Sequence, residues 1–201
     1  MIIYMFKIIC VTDRKLCDED FLTRIEKIAS AKPDRIIFRD KNCNDEEYVK
    51  FALKILAISD TYHIPCSTYF HPEIFSDIHM TMPMLQHICL SDMNFQHFVG
   101  VSVHSVDEAV QAEQQGVDYV IAGHIFETSC KPDLAPRGLE FLKQVCKSVK
   151  IPVYAIGGIN ANNINQIVQT GADGACIMSG FMTCKNPVAY ISQLRKAVTE
   201  K

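Results

Sequence analysis

Eight short apolar runs recur along the 201 residues, each followed by a polar or amphipathic stretch, and this alternation constrains the fold most. The runs are Phe6–Val11, Arg35–Phe38, Ile64–Tyr69, His87–Leu90, Val99–Val103, Asp118–Ala122, Ile151–Ile156 and Gly174–Met178. Most are apolar at nearly every position, the pattern of parallel strands covered on both faces. Helix signals fill the gaps. Asn44 precedes Asp45, Glu46 and Glu47, opening a helix that runs through Ile58. Ser105 and Glu108 form a capping box with Gly116 as the stop, and Asn186-Pro187 opens the last helix. The gap Ser91–Gln96 is too short for a full crossover helix. Eight βα units without a Pro/Gly/Ser-rich linker predict one α/β domain over residues 1–201, a closed (β/α)8 TIM barrel; doubly wound open sheets usually hold about five or six strands.

Composition excludes several partners. Twenty basic against 23 acidic residues leave a net charge of −3, so no basic field holds a nucleic acid or an anionic membrane. The opening run is broken by Lys7 and lacks a basic n-region, so it reads as a buried strand, not a signal peptide. Nine cysteines form no C-x-x-C pair, and the histidines show no H-E-x-x-H spacing; neither a disulfide framework nor a metal site is expected, and the cytoplasm is the expected compartment.

In a barrel the chemistry belongs at the carboxyl ends of the strands. Those ends lack the paired carboxylates of a glycosidase. Ile156-Gly-Gly158 after strand seven and Met178-Ser-Gly180 after strand eight each place glycine directly after a buried strand. Gly157, Gly158, Ser179 and Gly180 thus form a candidate phosphate cradle. His124 follows strand six, where imidazole can take and give a proton near neutrality; a histidine that merely hydrogen-bonds at the strand end fits equally well. Ser102 and His104 either face the mouth or pack against the next strand. Arg39 and Lys41 flank the end of strand two, where two cations suit an anionic substrate. Cys130 has no neighbouring partner in sequence that would make it a nucleophile.

The motifs Thr12-Asp13, Phe38-Arg-Asp-Lys41, Val101-Ser-Val-His-Ser-Val-Asp-Glu-Ala109, Gly123-His-Ile-Phe-Glu-Thr128, Lys131, Arg137-Gly-Leu139, Ala155-Ile-Gly-Gly-Ile159 and Gly171-Ala-Asp-Gly174 keep one order over nearly the whole chain. Together they resemble the thiamine phosphate synthase/TenI superfamily. The resemblance implies one of two activities. The synthase joins a pyrimidine pyrophosphate to a thiazole phosphate with Mg²⁺ held by aspartates after strands three and four. Its usual Asn-Asp, Gly-Gln-Glu-Asp and Gly-Pro are replaced here by Tyr69-Phe70, Ser91-Asp92-Met93-Asn94 and Gly123-His124. Gly-His is similar instead to the TenI branch, a thiazole tautomerase. On that expectation the chain is an isomerase without cofactor or metal, and His124 shuttles the proton. The glycine loops hold the phosphate of the carboxythiazole, and Arg39, Lys41, Ser102 and Lys131 meet its anionic groups. The resemblance also implies a homo-oligomer. A non-catalytic sensor of thiazole phosphate and a Mg²⁺-dependent synthase are the alternatives.

Overall fold

The computed structural model describes residues 6–40, 43–69, 71, 74–88, 90, 98–130 and 132–199. Strands β1 (Lys7–Val11), β2 (Arg35–Phe38), β3 (Cys66–Tyr69), β4 (Asp77–Thr81), β5 (Phe98–Val103), β6 (Tyr119–Gly123), β7 (Val153–Ile156) and β8 (Gly174–Ile177) close into a barrel in chain order. All eight pairings are parallel, and β1 meets β8 with Ile9 opposite Cys176. The expected (β/α)8 TIM barrel is what forms. Its helices are α1 (Phe21–Ser30), α2 (Asp45–Thr61), α3 (Met82–Gln86), α4 (Val106–Gln114), α5 (Gly138–Ser148), α6 (Ile164–Val168), α7 (Ser179–Thr183) and α8 (Pro187–Thr199).

The caps read from sequence are made. Asn44 Oδ1 accepts the Glu47 N–H at 2.9 Å, Ser105 Oγ accepts Glu108 N–H at 3.0 Å, and Asn186 Oδ1 accepts Ala189 N–H at 3.0 Å. Gly116 ends α4 at φ +86°, in the left-handed region that glycine enters without steric cost. Among the described residues no helix is long and apolar enough to cross a membrane.

One strand is misplaced in the sequence reading. The fourth strand is Asp77–Thr81, not His87–Leu90; His87 instead caps α3. The cause is burial of opposite kinds on its two faces. Ile78 and Met80 are fully buried against the outer helices, while His79 and Thr81 face the barrel cavity. A polar inward face breaks the continuous apolar run that marks the other strands. The weak crossover also moves. No helix is assigned in the described part of the connection between β3 and β4, whereas Ser91–Gln96 lies outside the described residues.

Two apolar layers hold the barrel. Ile8, Cys10, Ile36, Phe38, Val120 and Ala175 pack outward under the helices, while Ile9, Val11, Ile37, Ile121 and Cys176 surround Tyr119 inside. The Tyr119 ring is completely buried and lies 5.4–5.6 Å, centroid to centroid, from His79, Phe98 and Tyr154. It fits because Gly100 opposite lacks a side chain: a Cβ there would lie 1.9 Å from Tyr119 Cζ. Gly100→Ala is therefore expected to cost about 1–3 kcal/mol through overpacking. Chemical denaturation checks this, and an unchanged midpoint would show that the ring can move aside.

Candidate active site

A cavity of about 290 Å³ opens at the carboxyl ends of the strands. Its floor is apolar, from Val11, Ile37, Ile121 and Cys176; its rim carries Asp13, Arg39, Tyr69, Thr81, His104, His124 and the two glycine loops. That is the face where barrel enzymes place their chemistry.

Of the four cradle residues, Gly157, Gly158 and Ser179 line the cavity. Both glycines need their positive φ, +105° and +67°. A Cβ on Gly157 would sit 2.3 Å from His124 Cβ, and one on Gly158 2.3 Å from the Glu127 carbonyl oxygen. Gly180 has another task. Its missing side chain admits the Tyr190 hydroxyl, which a Cβ would meet at 2.0 Å, so it locks α7 to α8.

The segment after β6 pairs with that after β7: Ile125 N–H donates to Ile156 O at 2.9 Å and Phe126 N–H to Gly157 O at 3.0 Å. His124 is thereby set beside the cradle, 5% exposed. Its Nε2 lies 3.0 Å from the Leu134 carbonyl, which only accepts, so Nε2–H donates. Arg137 N–H in turn donates to His124 O at 3.0 Å. His124 thus ties Leu134 and Arg137 of the mouth loop 126–137 to the site. Cys130 and Thr128 of that loop reach the cavity as well.

Arg39 enters from the end of β2. The buried Thr12 hydroxyl grips its backbone, accepting Arg39 N–H at 3.0 Å and donating to Arg39 O at 3.1 Å. Its guanidinium lies 5.9 Å from the centre of the Tyr69 ring. Ser102 faces the cavity, and His104 lines it while pairing with Glu108 at 3.6 Å. Lys41 and Lys131 lie outside the described residues.

Sequence reasoning missed His79 and Thr81, because the strand that carries them was misplaced. The available signal was the alternation Asp77, His79, Thr81 around Ile78 and Met80. His79 is 3% exposed, its Nε2 2.8 Å from Ser102 Oγ and its Nδ1 3.2 Å from Tyr119 Oη. Burial, with Arg39 and Arg35 nearby, pushes its pKa down to about 3, so the ring is neutral at physiological pH.

A Mg²⁺ ion needs a set of oxygen donors around it. The ends of β3 and β4, where the superfamily holds the ion, carry Tyr69 and Thr81. Asp13 is the carboxylate lining the cavity among the described residues, and its Oδ1 already accepts the Lys15 N–H at 3.1 Å. No group of three or more His, Cys, Asp or Glu suited to a metal occurs among the described residues. They do not fit the ion at that place.

The family described as thiamine monophosphate synthase matches residues 84–181. The thiamine-phosphate synthase of Clostridium acetobutylicum is 35% identical over 190 residues, covering 90% of this chain and 89% of its own. The chain belongs to the thiamine phosphate synthase/TenI family. The Fusobacterium nucleatum thiamine-phosphate synthase is 32% identical over 92% of this chain and 95% of its own. A solved structure of Pyrococcus furiosus thiamine phosphate pyrophosphorylase superposes with a TM-score of 0.83 at 28% identity, covering 96% and 95% of the two chains.

These relatives overturn the tautomerase expectation and with it the isomerase class: full-length relatives are named as synthases, which are transferases. The difference has a physical side: Gly123-His124 replaces a proline, and the His124 imidazole hydrogen-bonds the Leu134 carbonyl of the mouth loop. The missing motif after strand four was sought at Ser91–Asn94, whereas β4 ends at Thr81.

Gly157→Ala is expected to lower the thermal midpoint and to weaken inorganic phosphate binding by about tenfold or more, since backbone strain and the clash with His124 both distort the cradle. Calorimetric titration with phosphate reads the effect; unchanged affinity would place the anion elsewhere.

Proposed function

We propose that this chain is a transferase of the thiamine-phosphate synthase type, joining a pyrimidine delivered as its pyrophosphate to a thiazole phosphate. The observation that carries the reading is one cavity lined by the Gly157-Gly158 loop, Ser179 and Arg39, in a chain whose relatives over nearly the whole length bear that name.

The work of the residues follows from their places. The loops around Gly157, Gly158 and Ser179 hold the thiazole phosphate. The apolar floor takes the flat pyrimidine ring, with Ser102 as its polar contact. A bond forms between thiazole and pyrimidine as the bond to pyrophosphate breaks, and the leaving group departs with the electron pair. Arg39, with Lys41 and Lys131, meets the charge that develops on it. Arginine is always charged, and its planar fork suits phosphate oxygens. His124 holds the mouth loop closed and so excludes water, which would otherwise compete for the pyrimidine carbon.

A second reading draws on Tyr69 and Thr81, the strand-end residues of β3 and β4, which offer no carboxylate: a protein that binds thiazole phosphate as a sensor and turns nothing over. One assay separates the two. The purified protein is given both substrates, with and without Mg²⁺, and pyrophosphate is measured. Release is expected, and Arg39→Gln is expected to slow it by about tenfold or more, the loss of a charge-assisted contact of about 1.5–3 kcal/mol. Binding of thiazole phosphate without pyrophosphate release under either condition would favour the sensor.

A further inference from the structure

Two cross-links join the end of β1 to the end of β2, one on the backbone and one between charges. The first is the grip of the Thr12 hydroxyl on the Arg39 backbone. The second lies two residues further on. Arg14 opens a 3-10 turn (Arg14–Leu16), and its Nε is 2.8 Å from Oδ2 of Asp40, the neighbour of Arg39 in sequence. The Asp40 side chain is 1% exposed and that of Arg14 29%. Arg14 Nη1 also donates to Glu47 Oε1 at 2.8 Å, in the first turn of α2, and the guanidinium carbon lies 4.8 Å from the centre of the Phe51 ring. One side chain thus holds the end of β1, the end of β2 and the start of α2 together.

The buried carboxylate gives this pair its consequence. A carboxylate withdrawn from water is costly unless a cation meets it. Arg14 meets it from the β1 side, with a planar fork that spans Asp40 and Glu47 at once. Were Arg14 absent, the cations beside Asp40 in sequence are Arg39 and Lys41. Opposite charges attract strongly where little water screens them, so Asp40 would compete with a bound anion for Arg39. With Arg14 in place, Arg39 lines the cavity with its guanidinium over the Tyr69 ring.

We propose that Arg14 is a positioning residue: by holding Asp40 it keeps that charge away from Arg39 and leaves the Arg39 guanidinium to an anionic group in the cavity, such as a pyrophosphate. The identity of the anion rests on the transferase reading above; the pairing of Arg14 with Asp40 does not.

Calorimetric titration with inorganic pyrophosphate tests this without turnover. Arg14→Gln is expected to weaken binding by about tenfold, as Arg39→Gln does. Combining Arg14→Gln with Asp40→Asn removes the carboxylate along with its partner and is expected to restore affinity to within about threefold of wild type. A mere loosening of the strand ends would not be cured by a second substitution, so weak binding in that double variant overturns the proposal. Combining Arg14→Gln with Arg39→Gln is expected to cost no more than Arg39→Gln alone. Losses that add to about a hundredfold overturn the proposal, because Arg14 would then act apart from Arg39. Should Arg14→Gln alone fail to fold, the variant that also carries Asp40→Asn decides. Affinity lost in Arg39→Gln but kept in Arg14→Gln overturns this proposal alone, whereas affinity indifferent to Arg39→Gln overturns the role of Arg39 on which it rests. Failure of the transferase reading is distinct from both, seen as absent pyrophosphate release while this pattern of binding holds.

Discussion

Closing eight strands into a barrel creates an interior that must be filled, and here one ring against one absent side chain meets that demand. Tyr119 lies over Gly100 and touches His79, Phe98 and Tyr154, while Arg35 stacks 4.5 Å from the Phe98 ring. Barrel interiors usually fill with branched aliphatic side chains in layers. This one mixes aromatic and polar groups in its lower half and leaves the upper half open. The cavity exists because the filling stops below the level of Ser102 and Ile121.

Polar groups inside a core stay only when each finds a partner. Arg35, Ser67 and Asp77, and likewise Tyr119, His79 and Ser102, satisfy one another inside the barrel, so bonds that make the interior tolerable also reach the polar wall of the cavity. At the rim the division of labour differs. Glycine positions give the backbone its close approach, and His124 fastens a loop to the site.

Much of the fold was legible because local rules and tertiary structure agree. Seven of the eight strands and the caps at Asn44, Ser105 and Asn186 follow from apolar runs and side chains that satisfy the first turn of a helix. The fourth strand was illegible because its inward face is polar, a property that depends on partners from β3, β5 and β6. The candidate site was legible where chain-local geometry makes it, at Gly157, Gly158, Ser179, Arg39 and His124. It was illegible at His79 and Thr81, and at Gly180 a further packing task, admitting the Tyr190 hydroxyl, appeared only in the structure. Activity was misread because the branch was decided on three short strand-end segments, whereas relatives that align over nearly the whole chain are named synthases.

The sequence by itself determined the alternation of strands and helices, the helix ends, the glycine loops and the family motifs, because each rests on contacts within a few residues. Only the tertiary structure decided which side chains share the barrel interior, which nitrogen of His124 is engaged and toward what Ser102 is held. Those outcomes depend on groups brought together from strands far apart in the chain, and on a buried medium in which every proton must have an acceptor.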